Sequence, residues 1–174
     1  MPTTTLKLKS VQAKSLQIPG AESWHVTEKD PAISIMTDFH WHSSVTVSEN
    51  STIDAAIDHM KHTGVRCAFV IDGKMSAVIG MITAYDITGE KPLQHMRLAS
   101  TPRADILVKD IMQKIADWHV ANLKDIENAT VADVLKVFTD TDVTHIPVME
   151  TNSNNEQHLR GLLSFAKVKR LLVA

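Results

Sequence analysis

The sequence carries one structural pattern twice, with the second copy 78 positions after the first. Residues 50–53 (NSTI) correspond to residues 128–131 (NATV), and the apolar positions that follow them also coincide. In each copy these positions are spaced as i, i+3, i+4 and i+7, which predicts a short amphipathic helix with one buried stripe. The stripes are Ile53, Ala56, Ile57 and Met60 in the first copy, and Val131, Val134, Leu135 and Phe138 in the second.

The start of each predicted helix has a hydroxyl residue with an acid three positions later, Ser51 with Asp54 and Thr130 with Asp133. This is the spacing of an N-cap and the third residue of a helix. An apolar run, a turn-like segment, a second apolar run and a second helix then follow in both copies, so the repeating unit is β-α-β-β-α. The runs and the turn between them are residues 65–71, 72–74 and 77–83 in the first copy, and residues 143–149, 151–155 and 159–164 in the second.

These repeats predict a mixed fold of the α/β (α+β) class. We assign residues 33–92 and 108–174 to the repeats, residues 93–107 to their connection and residues 1–32 to an N-terminal extension. A further short helix is expected to begin near Pro92. A unit of about 60 residues buries little core alone, so the repeats are expected to pack face to face with pseudo-two-fold symmetry. Facing strands from two such copies leave clefts between them, and any ligand site is expected there.

Composition argues against several classes of function. The 174 residues carry a formal net charge of -2 and 5% aromatic residues, which gives no electrostatic or stacking basis for binding nucleic acid or an anionic membrane. The single cysteine, Cys67, excludes an intrachain disulfide and a thiolate metal cluster, and its apolar neighbours predict a buried thiol rather than a nucleophile. The sequence has no stretch typical of a signal peptide and no apolar run of transmembrane length, so we expect a cytoplasmic protein.

Short motifs whose order along the chain is repeated in the two copies resemble the tandem CBS-domain pair, also called a Bateman module. They are residues 35–37 (IMT) and 110–112 (DIM) ahead of the two units, residues 80–87 (GMITAYDI), and residues 143–148 (VTHIPV). The resemblance extends from about residue 33 to residue 172. It implies two CBS repeats that form a regulatory, ligand-sensing module without catalytic activity. Such a module binds an adenosyl ligand between its repeats: AMP, ADP, ATP or S-adenosylmethionine, with no other cofactor required. It also implies a homodimer that signals to a regulated protein by conformational change, here as a stand-alone module.

Thr83 and Asp86 are the main candidates for the first cleft. They lie where a strand is expected to end and a helix to begin, so backbone N–H groups and the helix dipole would face an anion. Thr83 could donate its hydroxyl to a phosphate, and an ionised Asp86 could accept both hydroxyl protons of a ribose. The alternative is that Thr83 only caps the helix while Asp86 satisfies its first turn.

The resemblance implies that the second copy supplies the adenine pocket of this cleft. The implied contacts are Trp118 and Leu123 at the start of that copy, Val143, Thr144 and Ile146 before its hairpin, and Met81 from the first copy. Trp118 could cover a face of the adenine ring, or it could be an ordinary core or interface residue.

The second cleft differs at the position where a ribose would be bound. The family resemblance implies that Ser164 and Lys167 stand there in place of Thr83 and Asp86, and a lysine cannot accept ribose hydroxyl protons. Lys167 could hold a phosphate as a point charge, so this weaker cleft is predicted to be empty, degenerate or specific for anions. The first copy would contribute His40, Val45, Val65 and Arg66 to it.

The two other classes of function open to such a chain are a protein-interaction scaffold and an enzyme. A protein-interaction scaffold with vestigial clefts would have the same repeats. An enzyme would need a nucleophile with its base, or a phosphate-binding loop, and the sequence contains neither in a recognised arrangement. The histidine pairs 40/42 and 59/62 could each present two ligands on one face, but neither has a carboxylate or cysteine at a metal-binding spacing, so we predict no metal site.

The N-terminal extension is too apolar for a solvated tail and too short to fold alone. We therefore expect residues 6–31 to dock on the module or on its dimer partner, with Trp24 as an anchor. The alternative is a flexible tail that orders only with a separate partner.

Overall fold

The computed structural model of the protein describes residues 25–74 and 77–172. It confirms a mixed α+β fold in two halves, and none of the helices within the described residues is long and apolar enough to cross a membrane. Short 3-10 turns cover Ala32–Ile35, Arg103–Asp105 and Ile115–Asp117. The other elements are, in chain order, β1 (Thr37–Asp38), β2 (Thr46–Ser48), α1 (Ile53–Thr63), β3 (Cys67–Ile71), β4 (Val78–Thr83), α2 (Ala84–Thr88), α3 (Lys91–Ala99), α4 (Val108–Ile111), β5 (Gln113–Lys114), β6 (Ala121–Asn122), α5 (Leu123–Asn128), α6 (Val131–Asp140), β7 (His145–Thr151), β8 (Gln157–Ser164) and α7 (Phe165–Leu171).

Each half of the molecule donates one short strand to the sheet of the other half. The first sheet has the strand order β2-β3-β4-β5, and the second has the order β1-β8-β7-β6. Strand β5 pairs antiparallel with β4 of the first half, and β1 pairs antiparallel with β8 of the second half. The two donated strands belong to the upstream segments that contain the IMT and DIM motifs. Because of this exchange, neither sheet is complete without the other half.

Gly80 and Gly161 lie where the donated strands cross. A Cβ atom on Gly80 would lie 2.6 Å from the backbone oxygen of Gln113, and one on Gly161 would lie 2.8 Å from the backbone oxygen of Thr37. A backbone oxygen cannot move aside as a flexible side chain can. The close approach of the exchanged strands therefore requires glycine at both positions.

The helices predicted from the repeat are present, with one difference at the start of α1. Thr130 and Asp133 form the predicted capping box of α6, with the Thr130 hydroxyl donating to Asp133 Oδ2 at 2.7 Å. In α1 the predicted role of Ser51 is wrong, because Thr52 is the N-cap and its hydroxyl oxygen accepts from the Ala55 amide at 3.3 Å. The carbonyl of Ser51 instead accepts the Val108 amide at 2.8 Å, which fixes Ser51 outside the helix.

Three apolar clusters hold the halves together. One core lies under the first sheet around Ile53 and Ile82, and another lies under the second sheet around Val131 and Leu163. The third cluster lies between the sheets and is centred on Phe69 of β3. The Phe69 ring packs edge-on against Phe39, with centroids 5.6 Å apart, and is tilted against Trp118 of the second half at 5.8 Å. The halves thus pack face to face through an aromatic interface.

The described part of the N-terminal extension docks on the second half of the molecule. The Val26 amide donates to the Leu171 carbonyl at 2.8 Å, and the Val26 side chain is fully buried in the second core. The Asp30 carbonyl accepts the Val131 amide at 2.9 Å, which ties the segment to the start of α6. Docking is therefore confirmed for residues 25–31. Trp24, the predicted anchor, lies outside the described residues.

Candidate functional site

Thr83 and Asp86 form a capping box at the junction of β4 and α2. The amide and the hydroxyl of Thr83 donate to Asp86 Oδ2 at 2.8 and 2.7 Å, and the Asp86 amide donates to Thr83 Oγ1 at 3.1 Å. Both side chains are buried. The capping role that the sequence left as an alternative is therefore present. The Thr83 hydroxyl already donates to Asp86, so it has no second proton to offer a phosphate.

The other carboxylate oxygen of Asp86, Oδ1, is ion-paired with Lys91, whose Nζ lies 2.6 Å away. Gln113 Nε2 donates to both carboxylate oxygens at 3.4 Å. The Lys91 side chain is 43% exposed, and its ammonium also donates to the Ile111 carbonyl at 3.3 Å. The ammonium can therefore move into solvent when a ligand takes its place beside Oδ1. Oδ1 is consequently the oxygen of Asp86 that a ligand could use. The helix dipole contributes little here, because α2 has five residues.

Asp86 and Thr83 line a cavity of about 480 Å³ between the two halves, which we call the polar cavity. From the second half it receives the predicted residues Val143 and Thr144. None of the lysines and arginines in the described part of the chain lines it. Its other lining residues are Tyr85, Gln113, Asp117, His119, Thr141, Asp142 and His145.

An apolar pocket of about 220 Å³ adjoins the polar cavity on the second half. The two share His119, Thr141 and Val143 in their walls, and the predicted residue Ile146 lies in the apolar wall. The remaining lining residues are Val120, Ala121, Ile126, Val134, Val137 and Leu163. The polar cavity and the apolar pocket together form what we call the first cleft, with a carboxylate at one end and an apolar recess at the other.

Three residues predicted for this cleft lie elsewhere. Met81 is buried in the aromatic interface with Phe69, because it points to the opposite face of β4 from Ile82. Trp118 packs in the same interface, and its indole N–H donates to the Gln113 carbonyl at 3.2 Å. Leu123, the first residue of α5, is buried in the second core. These side chains support the walls of the cleft instead of lining it.

A second cleft of about 380 Å³ lies on the pseudo-symmetric side of the interface. Of the residues predicted for it, Val45, Val65, Arg66, Ser164 and Lys167 all line it. His40 does not, because its ring is exposed and packs edge-on against Trp41 with centroids 4.8 Å apart. The other lining residues are Thr37, Phe39, Ser43, Gly64, Cys67, Phe69, His145, Leu162, Ala166 and Arg170.

His145 is the residue that borders both clefts, and its ring is buried. Burial lowers the pKa of His145 to about 4, with Asp86 opposing this shift and Arg66 adding to it. The imidazole is therefore neutral at neutral pH, with its Nδ1 atom 3.0 Å from the Thr144 hydroxyl. Cys67, which lines the second cleft, is also uncharged, because burial raises its thiol pKa to about 12.

The histidine pairs 40/42 and 59/62 are the possible pairs of metal ligands in the sequence. Within residues 25–74 and 77–172, no three His, Cys, Asp or Glu side chains are placed to hold a metal ion. His62 Nδ1 instead contacts the Asp58 carbonyl oxygen at 2.7 Å, along its own helix.

The family of the protein follows from comparison with known domains. A family model described as the CBS domain matches residues 33–91 and 127–174, more than half of the chain. This protein is a tandem CBS-domain pair. Comparison with curated proteins gives no match.

Solved structures share the fold of this CBS pair. A CBS-domain-containing protein from Agrobacterium tumefaciens is 17% identical with a TM-score of 0.57, over 90% of this chain and 98% of that chain. An uncharacterised conserved protein from Pyrococcus horikoshii is 20% identical with a TM-score of 0.55, over 83% and 92% of the two chains. CBSX2, a CBS-pair protein from Arabidopsis thaliana, was solved in complex with AMP. That complex is 18% identical with a TM-score of 0.50, over 82% and 94% of the chains. At sequence identities of 17–20%, the similarity to these structures supports a shared fold only.

Sequence reasoning missed several residues that line the first cleft of the CBS pair. Thr141 and Asp142 directly precede the predicted residues Val143 and Thr144, so their position in sequence was a usable signal. His145 stands in the apolar run of β7, where a buried polar residue needs an explanation. Asp117 lies in a 3-10 turn ahead of β6, and no pattern in the sequence marked it.

Proposed function

We propose that this CBS pair is a regulatory module, without catalytic activity, that binds an adenosyl ligand in the first cleft. The observation that carries the proposal is the adjacency of the polar cavity, which holds Asp86, to the apolar pocket on the other half. An adenosyl group has the same two-part character, with a diol on its ribose and a flat apolar base.

The ligand is oriented by these two ends. The ribose hydroxyls donate to Asp86 Oδ1 after Lys91 moves aside, while Oδ2 stays in the capping box with Thr83. The adenine ring enters the apolar pocket beside Val143 and Ile146. In this arrangement Thr83 is a positioning residue that fixes the Asp86 carboxylate.

The charge of the first cleft favours some adenosyl ligands over others. Asp117 and Asp142 line the polar cavity together with Asp86, whose charge Lys91 offsets. A phosphate near Asp117 and Asp142 would meet carboxylates of like charge. S-Adenosylmethionine carries a sulfonium and an ammonium group against one carboxylate, and adenosine is uncharged. We therefore expect these two ligands to bind more tightly than AMP, although Asp117 and Asp142 are exposed and salt will reduce the difference.

A partner protein can respond to ligand binding because the bound ligand contacts both halves of the CBS pair. Asp86 belongs to the first half, and Val143 and Ile146 belong to the second. A ligand that contacts both favours the packing of the halves in which its two ends fit best. A partner protein, or a second copy of the chain, that distinguishes these packings would then respond to ligand concentration.

Calorimetric titration with adenosine, S-adenosylmethionine, AMP and 2′,3′-dideoxyadenosine tests the proposal. Adenosine and S-adenosylmethionine are expected to bind saturably and, at a hundredfold excess over Kd, to raise the free energy of unfolding by about 2.7 kcal/mol. Dideoxyadenosine is the matched control, because it keeps the base but lacks the ribose diol, and it is expected to bind much more weakly. Indifference to all four ligands would reject the adenosyl sensor and favour the interaction scaffold.

A further inference from the structure

The two places where the halves exchange strands are stabilised by different contacts. We call the pairing of β1 with β8 the β1 seam, and the pairing of β5 with β4 the β5 seam. Their registers are equivalent, because Asp38 lies opposite Gly161 in one seam and Lys114 lies opposite Gly80 in the other. The short ladders themselves therefore do not distinguish the seams, and a difference in strength must come from the contacts around them.

An ion-pair network spans the β1 seam. The Arg160 guanidinium on β8 donates to both carboxylate oxygens of Asp38 on β1, at 2.9 and 2.8 Å, and to Glu150 on β7 at 3.2 Å. The side chains of Arg160 and Asp38 are 25% and 20% exposed, and the hydrogen bonds from Arg160 hold the pKa of Asp38 below its usual value. A partly buried, two-point pair within a network stabilises a structure more than an exposed single pair does.

Main-chain and lysine contacts add to the β1 seam. The Phe39 amide donates to the Arg160 carbonyl at 2.9 Å, which continues the pairing beyond the end of β1. Lys167 Nζ, from α7, donates to the Met36 carbonyl and to the Thr37 hydroxyl at 3.2 Å each. The segment of the first half that carries β1 is thus tied to the second half at four consecutive residues.

The equivalent positions of the β5 seam cannot form the same network. Ile79 stands where the second half has Arg160, and it packs against the first core. Lys114 stands where the other seam has Asp38. Among residues 25–74 and 77–172, no acid lies within ion-pair distance of Lys114. A lysine opposite an isoleucine replaces the arginine–aspartate pair.

The β5 seam is also a wall of the first cleft. Gln113 on β5 and Asp86 at the end of β4 both line the polar cavity, and the Gln113 amide reaches Asp86 through long hydrogen bonds of 3.4 Å. Aromatic packing favours neither seam, because Phe39 after β1 and Trp118 after β5 both pack on Phe69. Separation of β5 from β4 therefore costs less free energy than separation of β1 from β8, and it widens the polar cavity.

We propose that the CBS pair is a hinge, which Arg160 fixes at the β1 seam and which opens at the β5 seam. Opening carries Gln113 away from Asp86 and admits solvent to the polar cavity. Local openings of this kind occur where a structure has the fewest stabilising contacts. A ligand held by Asp86 of the first half and Val143 of the second would close the β5 seam. That closure rests on the proposed function, whereas the hinge does not.

Amide hydrogen exchange of the ligand-free full chain, resolved by residue with NMR, tests the hinge. Thr37 and Gln113 occupy equivalent positions in the two ladders, and we expect protection from exchange to be about tenfold weaker at Gln113. Arg160→Met is expected to reduce protection at Thr37 about tenfold and to leave Gln113 unchanged, as loss of a charge-assisted contact at one seam does. Asp38→Asn removes the same ion pair but keeps an acceptor for the His40 amide, so it tests the same effect with a smaller change.

Arg103→Met is the matched control for the loss of an arginine ion pair. Arg103 lies 3.2 Å from Asp54, and neither residue belongs to a seam, so protection at Thr37 and Gln113 should stay as in wild type. Equal protection of these two amides in wild type would overturn the hinge. An equal loss at both amides in Arg160→Met and in Asp38→Asn would also overturn it, because Arg160 would then stabilise the whole molecule instead of one seam.

Adenosine added to the same samples tests how the hinge is used. Saturating adenosine is expected to increase protection at Gln113 about tenfold and to leave Thr37 unchanged. Adenosine that binds and protects both amides equally would contradict opening at the β5 seam. If adenosine does not bind, the proposed function fails, and the exchange rates of the ligand-free protein still decide whether the hinge exists.

Discussion

Replacement of Asp86 by Asn is expected to weaken adenosine binding about a hundredfold, the effect of losing two hydrogen bonds to a charged acceptor. The amide oxygen of the substituted side chain can still accept the Thr83 amide proton, so the capping box can be retained. Its NH₂ group would then occupy the place of Oδ1, where it cannot accept a ribose proton. Calorimetric titration of the variant with adenosine measures the change.

Asp133→Asn is a control with the same chemistry at the same kind of site. Thr130 and Asp133 form a capping box with nearly the geometry of Thr83 and Asp86, and hydrogen bonds from Thr130 hold the pKa of Asp133 below its usual value. Asp133 is exposed and lines neither cleft. Its substitution should leave adenosine affinity unchanged. Similar affinity losses in both variants would mean that Asp86 acts only through the helix cap.

Acidification is expected to destabilise the protein through His145. Its folded-state pKa is about 4 against 6.5 for an unperturbed histidine, because the ring is buried. The unfolded chain therefore binds more protons between these two values, and the free energy of unfolding falls as pH decreases through that window. Between pH 7 and pH 4 this histidine should account for a loss of about 3 kcal/mol.

The contribution of His145 is measured by urea denaturation of wild type and His145→Gln at pH 7 and pH 4. The variant lacks the titrating group, so it should lose about 3 kcal/mol less than wild type across this interval. Other ionisable groups titrate in both proteins and cancel in the difference. His59→Gln, on the exposed face of α1, is expected to behave like wild type. An equal loss of stability in wild type and His145→Gln would show that the buried imidazole does not determine the acid sensitivity.

The sequence predicted the local structure of the repeats well. The apolar stripes placed α1 and α6, and the paired apolar runs placed β3, β4, β7 and β8, because these patterns reflect which face of an element is buried. The exchange of β1 and β5 between the halves could not be predicted in the same way. Each of these strands has two residues, and their pairing depends on long-range contacts that leave no periodic signal.

The site was predicted in part, for reasons that differ among its residues. Thr83, Asp86, Val143, Thr144 and Ile146 all line the first cleft, since their motifs fix them to strand ends and to β7. The ion pair of Lys91 with Asp86 and the acids Asp117 and Asp142 were not predicted. They come from turns and helix starts whose placement is decided by tertiary packing. The homodimer and the cytoplasmic location remain predictions.

The sequence also could not show whether the pair Thr83 and Asp86 only caps a helix or also lies in a ligand site. Thr83 and Asp86 have the same spacing as Thr130 and Asp133, and both pairs form capping boxes. Only the first pair lies in a cleft, and that distinction depends on where the second half packs.

A crystal structure of the protein grown with adenosine tests the central proposal most directly. We expect density for one adenosine in the first cleft, with its ribose hydroxyls about 2.5–3.0 Å from Asp86 Oδ1. Lys91 should have moved away from that oxygen, and the adenine ring should lie against Val143 and Ile146. Adenosine bound in the second cleft, or bound in the first cleft with its ribose out of reach of Asp86, would contradict the proposal.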